Sequence, residues 1–104
     1  MLYDGVLKFG AQAEKALDNQ DISAANKSLN KMQDILYELI ACLDIKQGGE
    51  VAQNLQNIYT YSIDLLIQAN MQKDKSKVTE VVSLVSDIRS AWEQIGKEVS
   101  IGKI

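Results

Sequence analysis

The 104-residue sequence predicts an all-α protein, an antiparallel up-down-up-down four-helix bundle. Three observations carry that prediction. The chain has no proline and few glycines, so nothing removes a helical donor or clashes with a preceding turn. Apolar residues recur at alternating spacings of three and four through four stretches, which holds one stripe of each helix against a partner. The interruptions are short, and short connections make consecutive helices antiparallel neighbours. With 46% hydrophobic residues, positions 1–104 form one domain around one core.

Helix 1 is read from Leu2, Val6, Phe9, Ala13 and Ala16, flanked by Tyr3, Leu7 and Leu17, and is closed by "DNQD", Asp18 to Asp21. No capping residue precedes it, so the chain reads as beginning inside an element. Helix 2 is expected from Ile22 to Asp44, with Asp21 as N-cap and the stripe Ile22, Ala25, Leu29, Met32, Leu36, Leu39 and Leu43. In "LDIKQGGE", Leu43 to Glu50, the adjacent Gly48 and Gly49 are expected to stop helix 2 and reverse the chain, one of them in the left-handed conformation. Helix 3 follows with Val51, Leu55, Ile58, Ser62, Leu65 and Ala69, and Glu50 in its first turn complements the helix dipole. "KDKS" breaks the rhythm, with Asp74 as cap. Helix 4 carries Val78, Val81, Val85, Ile88, Trp92, Ile95 and Val99 and is expected to fray from Ser100.

Composition excludes several function classes. A net charge of −3 opposes nucleic-acid binding, and the cluster Lys73, Lys75 and Lys77 surrounds Asp74 as a solvated turn rather than a phosphate track. There is no histidine, which removes imidazole acid–base catalysis, haem ligation, histidine phosphotransfer and Glu-x-x-His di-iron sites. The carboxylates are spread along outward faces, and Gly48-Gly49 lacks the Lys-Ser/Thr of a phosphate loop. No catalytic, cofactor or metal residues are assigned. The single Cys42 forms no internal disulfide and reads as a small buried or half-buried hydrophobe. No apolar run is long enough to insert in a membrane and no signal sequence opens the chain, so the expected location is cytoplasmic. Asn26-Lys27-Ser28 matches a glycosylation acceptor only by chance, inside a predicted helix.

Several helices carry a second apolar stripe. Helix 2 adds Ile35, Tyr37, Ile40 and Cys42; helix 3 adds Tyr59, Ile63, Leu66 and Ile67; helix 4 adds Val82, Leu84 and Ala91. Two readings stand. Wide stripes suit a small bundle in which each helix meets two neighbours. Alternatively they line a groove that receives an amphipathic helix of another chain. Tyr37, Tyr59 and Tyr61 suit the second, since a phenol has an apolar body and a wet tip.

A fixed order of short words then becomes informative: "LYDG" at Leu2–Gly5, "LNKMQDILYEL" at Leu29–Leu39, "LDIKQGGE" at Leu43–Glu50, "AQNLQNIY" at Ala52–Tyr59, "LIQANMQKD" at Leu66–Asp74 and "RSAW" at Arg89–Trp92. Together they resemble the FliS family, the flagellin-specific export chaperones of bacterial flagella. The resemblance implies an antiparallel helical bundle that binds the C-terminal segment of flagellin in the cytoplasm. The segment would wrap around the chaperone as extended pieces and helices lying in apolar grooves, which prevents premature polymerisation, and the loaded complex would dock on the flagellar export gate. Asn54 and Asn70 match family positions, and their amides suit the backbone of a bound peptide or another helix. Arg89 and Trp92 match too, with Trp92 on the core stripe. The partner-binding candidates are therefore Ile35, Tyr37, Asn54, Tyr59, Ile63, Leu66 and Asn70.

Family members extend further toward the N-terminus, through a tyrosine-containing arm and the first half of helix 1, and this chain starts at "MLYDG". The arm is implicated in covering the empty groove and in gate docking. The reading from a different class is a structural or regulatory helical bundle that self-associates through the same apolar faces.

Overall fold

The computed structural model describes the backbone of residues 2–43 and 45–103 and the side chains of residues 3–43 and 46–91. Its helices are α1 (Leu2–Asp18), α2 (Ile22–Ala41), α3 (Ile45–Gln72) and α4 (Lys75–Lys103). α1 packs on α2 and α4, and α3 packs on the same two helices. The four form a closed ring around one core, the expected four-helix bundle. Trp92, Ile95 and Val99 lie outside the described side chains, and the backbone of α4 stays helical through Lys103 rather than fraying from Ser100.

The core takes Val6 and Ala13 from α1, Leu29, Met32 and Leu36 from α2, and Val78, Val81 and Val85 from α4. From α3 it takes Tyr59, Ile63, Leu65, Leu66 and Ala69. Ser62 is also buried there, and its hydroxyl has no hydrogen-bond partner among the described residues. α1 can sit between α2 and α4 because Gly10 has no side chain. A Cβ there would stand 2.5 Å from Val82 Cγ2 and 3.3 Å from Met32 Cε, inside van der Waals contact. One polar link crosses the ring, where the Tyr3 and Tyr59 hydroxyls hydrogen-bond to each other. Burial, and then that bond, pushes the Tyr59 phenol well above its ordinary range. Exposed pairs stitch α1 to α4: Arg89 Nε to Asp4 Oδ1 at 2.6 Å and Lys75 Nζ to Asp18 Oδ2 at 2.9 Å. Such pairs add little stability each.

Two of the three connections share one design. After α1, the Asp21 N–H donates to the Ala16 carbonyl at 2.8 Å and the Gln20 N–H to the Leu17 carbonyl at 3.1 Å, with Gln20 at φ 58°. After α3, the Asp74 N–H donates to the Ala69 carbonyl at 3.1 Å, with Lys73 at φ 54°. In this turn one left-handed residue lets N–H groups beyond the helix close its orphan carbonyls, two of them after α1 and that of Asp74 after α3. In both, the aspartate that closes the old helix opens the next. Asp21 Oδ1 accepts the Ala24 N–H at 3.1 Å, and Asp74 Oδ1 accepts the Ser76 N–H at 3.0 Å and the Ser76 hydroxyl at 2.5 Å. The segments "ALDNQD" and "ANMQKD" thus do the same work at one end of the bundle.

The third connection corrects the expectation for the glycines. α2 ends at Ala41, with the Cys42 N–H on the Glu38 carbonyl at 3.1 Å, well before Gly48. Gly48 and Gly49 fall inside α3, which starts at Ile45 and kinks at Gly49, whose φ of 54° and ψ of −129° suit essentially glycine alone. Gly48 is not left-handed; a Cβ on it would stand 2.6 Å from Ala52 Cβ. Because α3 starts at Ile45, Glu50 is its sixth residue, just past the kink, and not in the first turn where it was expected to complement the helix dipole. Cys42, expected to be at least half-buried, is exposed at the end of α2.

These turns make opposite predictions. Lys73→Gly and Gln20→Gly remove a left-handed penalty and should each raise stability by on the order of 1 kcal/mol. Gly49→Ala should lower it by about 1–3 kcal/mol through backbone strain alone, since no atom lies within 4 Å of the added Cβ. Denaturant melts of the three variants check both signs.

Asp74 gives a pH prediction. The Ser76 hydroxyl bond, aided by the backbone N–H, holds its carboxyl below the usual aspartate range. A pKa lower in the folded than in the unfolded chain stabilises above the unfolded value and is lost as pH falls through the folded value. Asp74→Asn should therefore flatten the acid limb of a plot of Tm against pH and leave its neutral-to-alkaline slope unchanged.

Candidate partner-binding surface

The apolar surplus seen in the sequence is mostly consumed by the core. Tyr59 is 1% exposed, Ile63 6% and Leu66 0%. Their stripe on α3 does not face outward, as a groove reading of helix 3 required. The reason is geometric: α3 has α2 on one flank and α4 on the other, so its buried band spans both apolar stripes. Ile35 is half-buried against the core, its Cδ1 2.9 Å from where a Gly5 Cβ would stand. Of the other candidates, Tyr37 is 55% exposed, Asn54 is exposed, and half-buried Asn70 accepts from Lys73 Nζ at 2.8 Å. Ile35 and Tyr37 are on α2, and the rest are spread along α3.

Other side chains remain outside. Val51, Ile67 and Met71 of α3 are exposed, Met71 by 79% and Ile67 by 41%, as is Ile22 at the start of α2. Val51 and Ile22 were expected on core stripes. Ile22 is the first residue of α2, and Val51 lies two residues after the Gly49 kink of α3. Tyr61 is also exposed and donates to Glu80 Oε2 of α4 at 2.6 Å, a bond that is the main cause of its raised phenol pKa.

The outward stripe of α3 runs Gln53, Asn57, Thr60, Asp64, Ile67 and Met71, with spacings of four and three and every member exposed. Its first half is polar and its second half apolar. From Val51 to Gln72 the helix carries a single charged residue, Asp64, in a chain that is 24% charged. A solvent-facing helix ordinarily carries charges of both signs, whereas the centre of an interface is depleted of them. That depletion is readable in the sequence, but a search for apolar periodicity passes over it. In the polar half, Gln53 Nε2 donates to Asn57 Oδ1 at 3.2 Å, and Gln53, Gln56, Asn57, Thr60, Tyr61 and Asp64 line a shallow trough. Gln68 Nε2 donates to Asp64 Oδ2 at 3.1 Å.

Among the described residues no group of histidine, cysteine, aspartate or glutamate is placed to hold a metal ion, and no helix is long and apolar enough to cross a membrane. What the surface offers is contact: exposed apolar side chains beside neutral hydrogen-bonding groups.

Known proteins give this surface a context. The family described as "Flagellar protein FliS" matches residues 1–99. The flagellar secretion chaperone FliS of Salmonella typhimurium is 39% identical over 101 residues, covering 96% of this chain and 75% of its own. That of Campylobacter jejuni is 34% identical over 103 residues, covering 99% and 80%. That of Bacillus subtilis is 37% identical over 94 residues, covering 90% and 69%. With a match along nearly its whole length and a four-helix bundle to go with it, this chain belongs to the FliS family of flagellar secretion chaperones.

Proposed function

We propose that the chain is a cytoplasmic chaperone that binds the C-terminal segment of flagellin along the outward face of α3, keeps it from polymerising early and hands it to the flagellar export gate. The observation that carries this reading is the combination on α3 of exposed Ile67 and Met71 with a surface almost free of charge. An apolar segment prone to assemble needs such a face: apolar anchors take its side chains, and from Val51 to Gln72 Asp64 is the one fixed charge of the helix that could lose water when it lands. Tyr37 and Val51, exposed on α2 and α3 near their junction, extend the apolar contacts toward the other end of the bundle. Family membership supplies the class of partner, since the relatives are named for flagellar secretion.

Contact residues and core residues respond oppositely to a charge. Ile67→Asp and Met71→Asp should fold with an unchanged Tm and weaken binding of a C-terminal flagellin segment by about 2–4 kcal/mol when combined. Leu66→Asp, one residue away but fully buried, should unfold the domain, because it strands an unpaired charge in the core. Calorimetric titration with circular-dichroism melts separates the two. Undiminished binding by the Ile67→Asp/Met71→Asp variant would remove α3 from the contact surface. Loss only of concentration-dependent self-association in that variant would instead make the face a contact between copies of the chain.

A further inference from the structure

The outward face of α2 carries charges in an order that works against the helix itself. Lys27, Lys31, Asp34 and Glu38 follow one another at spacings of four, three and four, and all are exposed. They share one stripe, basic toward the start of the helix and acidic toward its end. Like charges stand one turn apart in both halves, Lys27 with Lys31 and Asp34 with Glu38, and each such pair is mildly destabilising. The order also opposes the helix dipole, which favours anions at the start and cations at the end. Among the described residues none of these four side chains makes a hydrogen bond or an ion pair that would offset the cost.

The same pattern is its own complement. Lys27 and Glu38 lie equally far from the midpoint between Met32 and Gln33, and so do Lys31 and Asp34. Two copies of α2 laid antiparallel about a two-fold axis through that midpoint bring each lysine opposite a carboxylate of the other copy. We propose that this stripe is a contact between two copies of the chain, Lys27 pairing with Glu38 of the second copy and Lys31 with its Asp34. A parallel arrangement sets like charge on like charge, and a shift of one turn keeps only half of the pairs, so the charges choose one register. An unrelated partner would have to bring the inverse order of charges on a helix of its own, whereas a second copy has it already. Exposed ion pairs are individually weak, which makes the contact specific in geometry, low in affinity and sensitive to salt. It uses α2 alone and does not depend on the chaperone reading.

Sedimentation of the intact chain over a wide range of concentration reads the contact. At roughly 0.05 M salt the chain should pass from monomer to dimer as concentration rises, and about 0.5 M salt should weaken the dimer tenfold or more. Lys27→Glu/Lys31→Glu makes the stripe wholly acidic, and Asp34→Lys/Glu38→Lys makes it wholly basic. Each variant alone should stay monomeric, and an equimolar mixture should form a heterodimer at least as tight as the parent dimer. Exchanging all four charges, Lys27→Glu/Lys31→Glu/Asp34→Lys/Glu38→Lys, reverses the order and keeps the symmetry. That variant should dimerise like the parent and melt no lower, since its charges now follow the helix dipole. A parent that stays monomeric at roughly 1 mM in low salt overturns the proposal. So does a dimer that survives either reversal, or two folded reversed variants that ignore each other when mixed.

Discussion

α3 must satisfy two neighbours at once, and that constraint decides what is core and what is surface. Wedged between α2 and α4, it buries Ser62, Leu65 and Ala69 together with Tyr59, Ile63 and Leu66. Two apolar stripes that the sequence presents as a core and a surplus are one wide band. A narrower band would leave Ile63 and Leu66 on the surface and make a groove of them. As it is, the outside of α3 keeps Ile67 and Met71 at one end, Val51 toward the other, and Tyr61, Asp64 and neutral polar groups between.

The same packing explains where sequence reasoning succeeds. The stripes of helices 2 and 4 are legible because Ala25, Leu29, Met32, Leu36, Val78, Val81 and Val85 each occupy the centre of a buried face. The caps Asp21 and Asp74 are legible because a carboxylate before an apolar run has one obvious use. Residues at the edges of faces are not, since period alone does not say how many neighbours a helix has. By period alone Ile63 and Leu66 fit a wide core band and an open groove equally well. Ile22 and Val51 fall on core stripes by period, which does not register where along a helix a neighbour lies. The charge gap from Val51 to Gln72 needed no structure to be seen, only a question about polar composition as well as apolar spacing.

The turns show a related lesson. Gly48-Gly49 looked like the stop of helix 2, yet the chain turns earlier and uses Gly49 to set the angle at which α3 enters the bundle. Meanwhile the two turns that do close tightly use Gln20 and Lys73 in the left-handed conformation, where glycine would be more comfortable. Their register is held by the aspartates that finish one helix and start the next. These turns fix the pairing of α1 with α2 and of α3 with α4, and so fix which face of α3 looks outward.

The central claim is that the partner lands on that outward face and not in the space now filled by core. Methyl-resolved NMR during titration with a C-terminal flagellin segment addresses it directly. The Ile67 and Met71 methyls should shift and saturate at one segment per chain, while those of Ile63 and Leu66 move little. Large shifts at Ile63 and Leu66 with Ile67 and Met71 unmoved would contradict the account, because the segment would then enter by opening the bundle.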